Sequence, residues 1–265
     1  MNIKRSKISF LAILMVLGFL GCSPDTEEPS DPKSGNLQLL GTSARDLLSD
    51  EDYSSLIIEV AFVQDFEPSA AALEELKGFL QTYTNKPDGL SIVKTAVEVP
   101  DNGPYSISKV ADIEKKFRTQ FNEGNRLAVF IFFANGISTK DLEEESKEND
   151  LVTLGSAYRN TSMVLYEPTL RNTALEKGVS KTDITSATLQ HEFGHLFGLV
   201  DNGTPAQSDH LDPEYKAHCN VSGCLMSALV EFGSGAAKYV KTRNKSTHAF
   251  DAKCREDMIA NGGKS

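Results

Sequence analysis

Past its first 20 residues the chain has no apolar run approaching the roughly 20 residues that a membrane-spanning helix needs, so no later segment reads as a bilayer span. It has no internal repeat, which excludes a solenoid or propeller array. Cations are in short supply: 27 Lys+Arg stand against 37 Asp+Glu, a formal charge of −10. Three of those cations lie within residues 1–21, and without that segment 24 Lys+Arg face the same 37 acids, a charge of −13. Such an acidic chain argues against nucleic acid as a partner, because phosphate binding depends on Lys and Arg. Histidine and cysteine are scarce, five and four residues among 265, so their placement carries information. Four of the five histidines, His191, His195, His210 and His218, fall within 28 residues.

The N-terminus reads as an export signal. Lys4, Arg5 and Lys7 precede an apolar run of 13 residues from Ile8 to Leu20, too short to span a bilayer comfortably. Phe19-Leu20-Gly21-Cys22 then resembles the cleavage box of bacterial lipoproteins, with Phe19 where Leu is usual. That resemblance implies removal of residues 1–21, acylation of Cys22, and attachment to a lipid bilayer outside the inner membrane. Residues 22–36 are acidic and Pro-rich without apolar content, which predicts a disordered tether. Acidic residues directly after such a cysteine also resemble the surface-export signal of Bacteroidetes lipoproteins. The expected location is therefore the bacterial envelope, at the outer membrane and its outer surface. Residues 37–265 remain as one folded domain, enough for one sizeable core or two packed halves.

The densest chemistry lies in His191-Glu192-Phe193-Gly194-His195-Leu196-Phe197-Gly198. On a helix, positions four apart project from one face, so His191 and His195 can hold one metal ion through their ring nitrogens. Glu192, next to that face, can take a proton from a metal-activated water and pass it on. Gly198 lets the chain turn sharply off the helix. Lys181 to Gln190 forms the helical lead-in, with Ile184, Ala187 and Leu189 as apolar positions and Thr182 or Asp183 as N-cap. The pattern is that of a zinc hydrolase site.

A catalytic zinc takes three protein ligands and leaves a position for water, so one more donor is needed. Asp201 stands three residues after Gly198, where the spacing H-E-x-x-H-x-x-G-x-x-D resembles that of snapalysins. His218-Cys219-Asn220-Val221-Ser222-Gly223-Cys224-Leu225-Met226 resembles the archaemetzincin pattern, a third His followed by C-x4-C-x-M. This second resemblance implies that His218 is the third ligand and Met226 the Met-turn residue beneath the zinc. It requires an insertion of 17 residues before His218, and Asp201 to Ala217 is polar and turn-rich, as an added surface loop should be. His218, Asp201 and His210 remain as candidates, in that order. In archaemetzincins, C-x4-C joins a later C-x-x-C to hold a second, structural zinc. Here Asp251 occupies the partner position of Cys254, so the four-thiolate set is broken, and the expectation is one catalytic zinc and a disulfide among Cys219, Cys224 and Cys254.

Upstream, Ser55 to Val63 reads as a strand, Pro68 to Tyr83 as a helix, Leu90 to Val99 as a strand and Ile107 to Phe121 as an amphipathic helix. Leu127 to Phe133 is apolar almost throughout, as in a fully buried strand. Leu151 to Tyr158 and Ser162 to Tyr166 are shorter strands, and Asp141 to Asp150 an acidic, solvated helical run. This order predicts an α/β fold with a mixed, mainly parallel twisted sheet, packed helices, the zinc-site helix, and a smaller C-terminal part from about residue 199 carrying the Met-turn. It is also the order that metzincins show. The resemblance implies a zinc-dependent endopeptidase acting on protein or peptide, with Glu192 as general base and Leu151 to Tyr158 as the edge strand that pairs with substrate. The other class compatible with the sequence is a non-catalytic surface lipoprotein that keeps the zinc fold to bind peptides or glycans.

Overall fold

The computed structural model describes residues 33–143, 152–243 and 249–265. The signal segment 1–21, Cys22 with the tether as far as residue 32, most of the acidic run 141–150, and Leu151 lie outside the described residues. Pro32–Ser265 is one compact unit. Among the described residues no helix is long and apolar enough to cross a membrane.

A five-stranded sheet organises the domain: β1 (Ser55–Val63), β2 (Gly89–Val97), β3 (Arg126–Ala134), β4 (Gly155–Arg159) and β5 (Ser162–Tyr166), in the order β2-β1-β3-β5-β4. Three of its four pairings are parallel, and β4 runs antiparallel to β5 at one edge. Parallel neighbours need crossovers, supplied by α2 (Ala70–Tyr83) between β1 and β2 and α3 (Ile107–Phe117) between β2 and β3. Helices cover both faces, which is why β3 is apolar at every buried position. Leu127, Val129, Ile131 and Phe133 join the core shared with α2, while Phe130, Phe132 and Ala134 join Val110 and Ile113 of α3 on the opposite face. The alternation is the period of two of a strand with no solvated side. The first of these cores continues into Leu225, Met226 and Met258, so the C-terminal part shares one core with the sheet.

Several boundaries differ from the sequence expectation for identifiable reasons. The tether ends before Asn36, not after it. Asn36 is fully buried, its amide donates to Asn122 Oδ1 (2.7 Å), the Ala128 carbonyl (3.0 Å) and Thr161 Oγ1 (3.2 Å), and its Oδ1 accepts from Asn122 N (2.8 Å). Helix α3 stops at Phe117 instead of Phe121 because the buried carboxylate of Glu59 on β1 captures Thr119 N (2.9 Å) and Gln120 N (2.8 Å), which withdraws them from helical bonding. Helix α2 begins at Ala70, one residue after Ser69, whose hydroxyl accepts from Ala72 N. Helix α4 (Glu167–Lys177) has no counterpart in the sequence reading: its buried side mixes Leu170 and Ala174 with Thr169 and Thr173, which blurs the apolar period. Among the described residues the remaining α-helices are α1 (Ala44–Leu48), α5 (Lys181–Leu196), α6 (Ala228–Glu231), α7 (Gly233–Thr242) and α8 (Ala252–Ala260).

Candidate metal centre

Helix α5 carries the site and is buried at every position from Ile184 to Leu196. Its N-cap is Ser180, whose hydroxyl accepts from Asp183 N, instead of Thr182 or Asp183. Those two are engaged elsewhere, Thr182 Oγ1 with Ser69 Oγ at 3.2 Å and Asp183 Oδ1 with the Arg243 guanidinium at 3.3 Å. The helix ends at Leu196 with Phe197 as its cap, and Gly198 (φ +66) follows, where a side chain would collide with Thr204 N. The left-handed turn that glycine permits sends the chain into residues 199–217.

That segment is less of a surface loop than its composition suggests. Thr204 and His210 are completely buried, and Gln207 N donates to Asp257 Oδ1 of α8 at 2.7 Å. Asp212 N donates to the His218 carbonyl (2.8 Å) and Asn220 N to the His210 carbonyl (2.9 Å), so the loop returns on itself and delivers His218 to the face of α5. The ring centroids of His191, His195 and His218 lie 4.9 to 5.4 Å apart. Asp201, in contrast, is solvent-exposed at φ +61 and outside this group. His210 is also outside it, with Nε2 3.2 Å from Asp257 Oδ2. The fourth member is one the sequence reading missed: Glu231 at the end of α6, whose carboxylate and the three imidazoles offer donor atoms all within 4.8 Å of one another.

The tautomers follow from the partners. His191 Nδ1 lies 2.7 Å from the Leu225 carbonyl and His218 Nδ1 2.9 Å from the Lys216 carbonyl. A carbonyl only accepts, so each Nδ1 carries the hydrogen and each Nε2 presents a lone pair. Both Nε2 atoms are buried without a hydrogen-bond partner. Burial lowers the His191 pKa to about 4, helped by His218, and holds His195 well below its ordinary value, so both imidazoles are neutral at pH 7. Neutral imidazoles can bind a cation without first losing a proton. These orphaned atoms fit a metal, and the histidine–carboxylate donor set suits zinc.

Glu192 is 1 % exposed. Its Oε2 accepts from Ala157 N of β4 at 2.7 Å, and its Oε1 has no partner. Burial, with repulsion from Glu231 second, raises its pKa to about 8. Strand β4 comes this close because residue 155 is glycine: a Cβ there would meet Thr188 Cγ2 at 3.0 Å and Glu192 Oε1 at 3.1 Å. Only part of the expected edge is free. Thr153 bridges Phe232, Leu154 N donates to the Glu231 carbonyl (3.4 Å) and Gly233 N to the Val152 carbonyl (3.2 Å), so residues 152–154 are already paired. Among the described residues Gly155–Arg159 is an edge strand with no further strand beyond it, its Ala157 N taken by Glu192, beside a cavity of about 290 Å³ walled by Lys140, Ser156, Glu192, His195, His218 and Glu231.

Met226 lies directly beneath the site, fully buried, where a Cβ on Gly194 would stand 2.1 Å from its sulfur. Gly194→Ala therefore pits about 1 kcal/mol of gained helix propensity against overpacking that costs about 1–3 kcal/mol. The sulfur is mid-chain and cannot swing aside cheaply. We expect a net loss of stability in urea denaturation and weaker zinc binding, since Met226 follows the Leu225 carbonyl that orients His191; parent-like values for both would refute the packing argument.

The disulfide expected among the three remaining cysteines is not formed: Cys219, Cys224 and Cys254 are free, buried thiols. They converge with Asp251 instead, with ligand atoms all within 4.8 Å. Cys224 and Cys254 sulfurs are 3.7 Å apart, and Cys219 Sγ is 3.3 Å from Asp251 Oδ2. Asp251 also caps α8 through Lys253 N (2.8 Å), and Val221 N and Met226 N donate to the Cys219 and Cys224 sulfurs at 3.4 Å. Hydrogen bonds among the thiols lower the Cys219 pKa to about 4 and raise those of Cys224 and Cys254, while Asp251 is held below its ordinary value. A three-sulfur, one-oxygen set of this kind is a second group of residues able to hold a metal.

No protein-family model matches the chain, and no curated protein matches it. Among solved structures, the archaemetzincin from Methanopyrus kandleri is similar to it at 16 % identity, over 78 % of this chain and 96 % of that one, with a TM-score of 0.49.

Proposed function

We propose that the chain is a zinc-dependent peptidase in which His191, His195 and His218 hold the metal and Glu192 is the general base. The observation that carries this reading is the convergence of three buried imidazoles, two of them with orphaned Nε2 atoms, beside a buried carboxylate whose Oε1 is unpartnered. A zinc ion bound there supplies a Lewis acid that polarises a peptide carbonyl and acidifies a water. The chain does the rest. Leu225 and Lys216 carbonyls lock two imidazoles in the tautomer that points a lone pair at the ion. Ala157 N holds one Glu192 oxygen and leaves Oε1 to take a proton from the attacking water and return it to the leaving amine. The free edge Gly155–Arg159 can align an extended peptide by backbone hydrogen bonds, since the cavity opens along it. Cys219, Cys224, Cys254 and Asp251 hold a second, structural ion in the same reading.

The test is a diverse peptide library incubated with the zinc-loaded full chain, then with the chain after exhaustive chelation, then with zinc restored. Cleavage that disappears and returns with the metal is the expected result. Cleavage that survives complete removal of zinc would sink the proposal, and tight peptide binding without turnover would favour the binding-protein class instead.

A further inference from the structure

Glu231 sits in the site without a part in that mechanism. Its side chain is 19 % exposed, and Oε2 lies 3.2 Å from His218 Nε2. Yet His218 Nε2 has no hydrogen-bond partner, so the two atoms approach without facing one another as donor and acceptor. Glu231 and the three imidazoles offer donor atoms all within 4.8 Å of one another. The His218–Glu231 separation fits a shared ion: zinc bonds of about 2.0–2.2 Å to N and O put neighbouring corners of a tetrahedron about 3.3 Å apart.

Glu231 is also held where it is. Its carbonyl accepts from Leu154 N (3.4 Å), Phe232 bridges Thr153, and Val230 N donates to the Ser227 carbonyl (2.9 Å) just past Met226. Its backbone thus spans the segment beneath the metal and the strand leading into β4, and its carboxylate walls the same cavity as Glu192, His195 and His218.

We propose that Glu231 is a fourth protein donor to the metal, filling in the resting site the position that a water or peptide carbonyl must occupy, so that turnover requires this carboxylate to withdraw. The exchange is of one oxygen ligand for another, with no change of oxidation state. The inference rests on the metal-binding reading of His191, His195 and His218. It makes the enzyme self-restrained through a side chain of its own active site and not through a separate inhibitory segment.

The full chain loaded with cobalt(II) reports the coordination number through its visible absorption, and a His195→Ala chain supplies the contribution of the cysteine cluster for subtraction. Four protein donors predict a parent spectrum that azide does not perturb. In Glu231→Gln and Glu231→Ala the spectrum changes and becomes azide-sensitive, zinc affinity falls by about 10- to 100-fold, and peptide turnover at saturating zinc rises severalfold. A parent spectrum already responsive to azide would overturn the proposal without recourse to any variant. So would variants with parent-like spectra and zinc affinity but reduced turnover, which would make Glu231 a substrate-positioning group. A parent chain that binds no cobalt beyond the His195→Ala control removes the metal reading itself, an outcome distinct from either.

Discussion

Glu192→Gln, compared with the parent at matched zinc content, is expected to hydrolyse peptides about 100- to 10,000-fold more slowly, the range that a positioned general base contributes. That is about 3–5 kcal/mol of transition-state stabilisation at 1.36 kcal/mol per tenfold. The substitution is chosen because it changes little else. Glutamine has the same shape, and its carbonyl oxygen can still accept from Ala157 N, so the contact between α5 and β4 survives. What disappears is the oxygen able to take a proton, at the position where Oε1 now has no partner. The loss should fall on kcat, since the ion and the peptide-binding edge are untouched. A decrease smaller than tenfold, with zinc confirmed in both proteins, would mean that another group is the base.

His218→Ala is expected to weaken zinc binding at the histidine site by more than the about 10- to 100-fold that loss of a supporting hydrogen bond costs, because a direct donor is removed. Asp201→Ala, by contrast, should leave zinc affinity unchanged: Asp201 is exposed and outside the cluster, although the sequence spacing offers it as the second candidate. Stability provides an independent readout. Zinc at a thousand times its dissociation constant stabilises the folded state by about 4 kcal/mol, which for a domain of this size is roughly 8–16 °C in the unfolding midpoint. The zinc-induced shift assigned to the histidine site should vanish in His218→Ala and persist in Asp201→Ala. Full retention of zinc by His218→Ala would return Asp201 to consideration and remove the geometric basis for the role of His218.

The cysteines show where sequence logic went astray. An odd number of thiols in a chain whose N-terminus reads as an export signal, with Asp251 where a fourth cysteine is expected, points toward a disulfide. The fold instead places three free thiols and the Asp251 carboxylate within 4.8 Å of one another, while the same carboxylate caps α8. Aspartate can serve both ends, since one oxygen accepts from Lys253 N and the other faces the sulfurs. Spacing along a chain cannot reveal that a residue has two faces to satisfy.

The sequence by itself determined what depends on neighbours a few residues away. The fourfold spacing of His191 and His195, the period of two along β3, and the glycine exit at residue 198 are set by backbone geometry over single turns and pleats, so they are readable without tertiary context. Ser55–Val63 and Ser162–Tyr166 appear with the boundaries their patterns predict. The tertiary structure alone decided what depends on loop closure and burial: that His218 and not Asp201 lies beside His191 and His195, the return of residues 199–217 that carries His218 to α5, Glu231 beside the three imidazoles, Asn36 inside the domain, and the Glu59 carboxylate that ends α3. Each of these rests on contacts between separate parts of the chain, from Asn36–Ala128 and Glu59–Gln120 to Gln207–Asp257. Such a contact is specified by the packing of whole elements and leaves no local period in the chain.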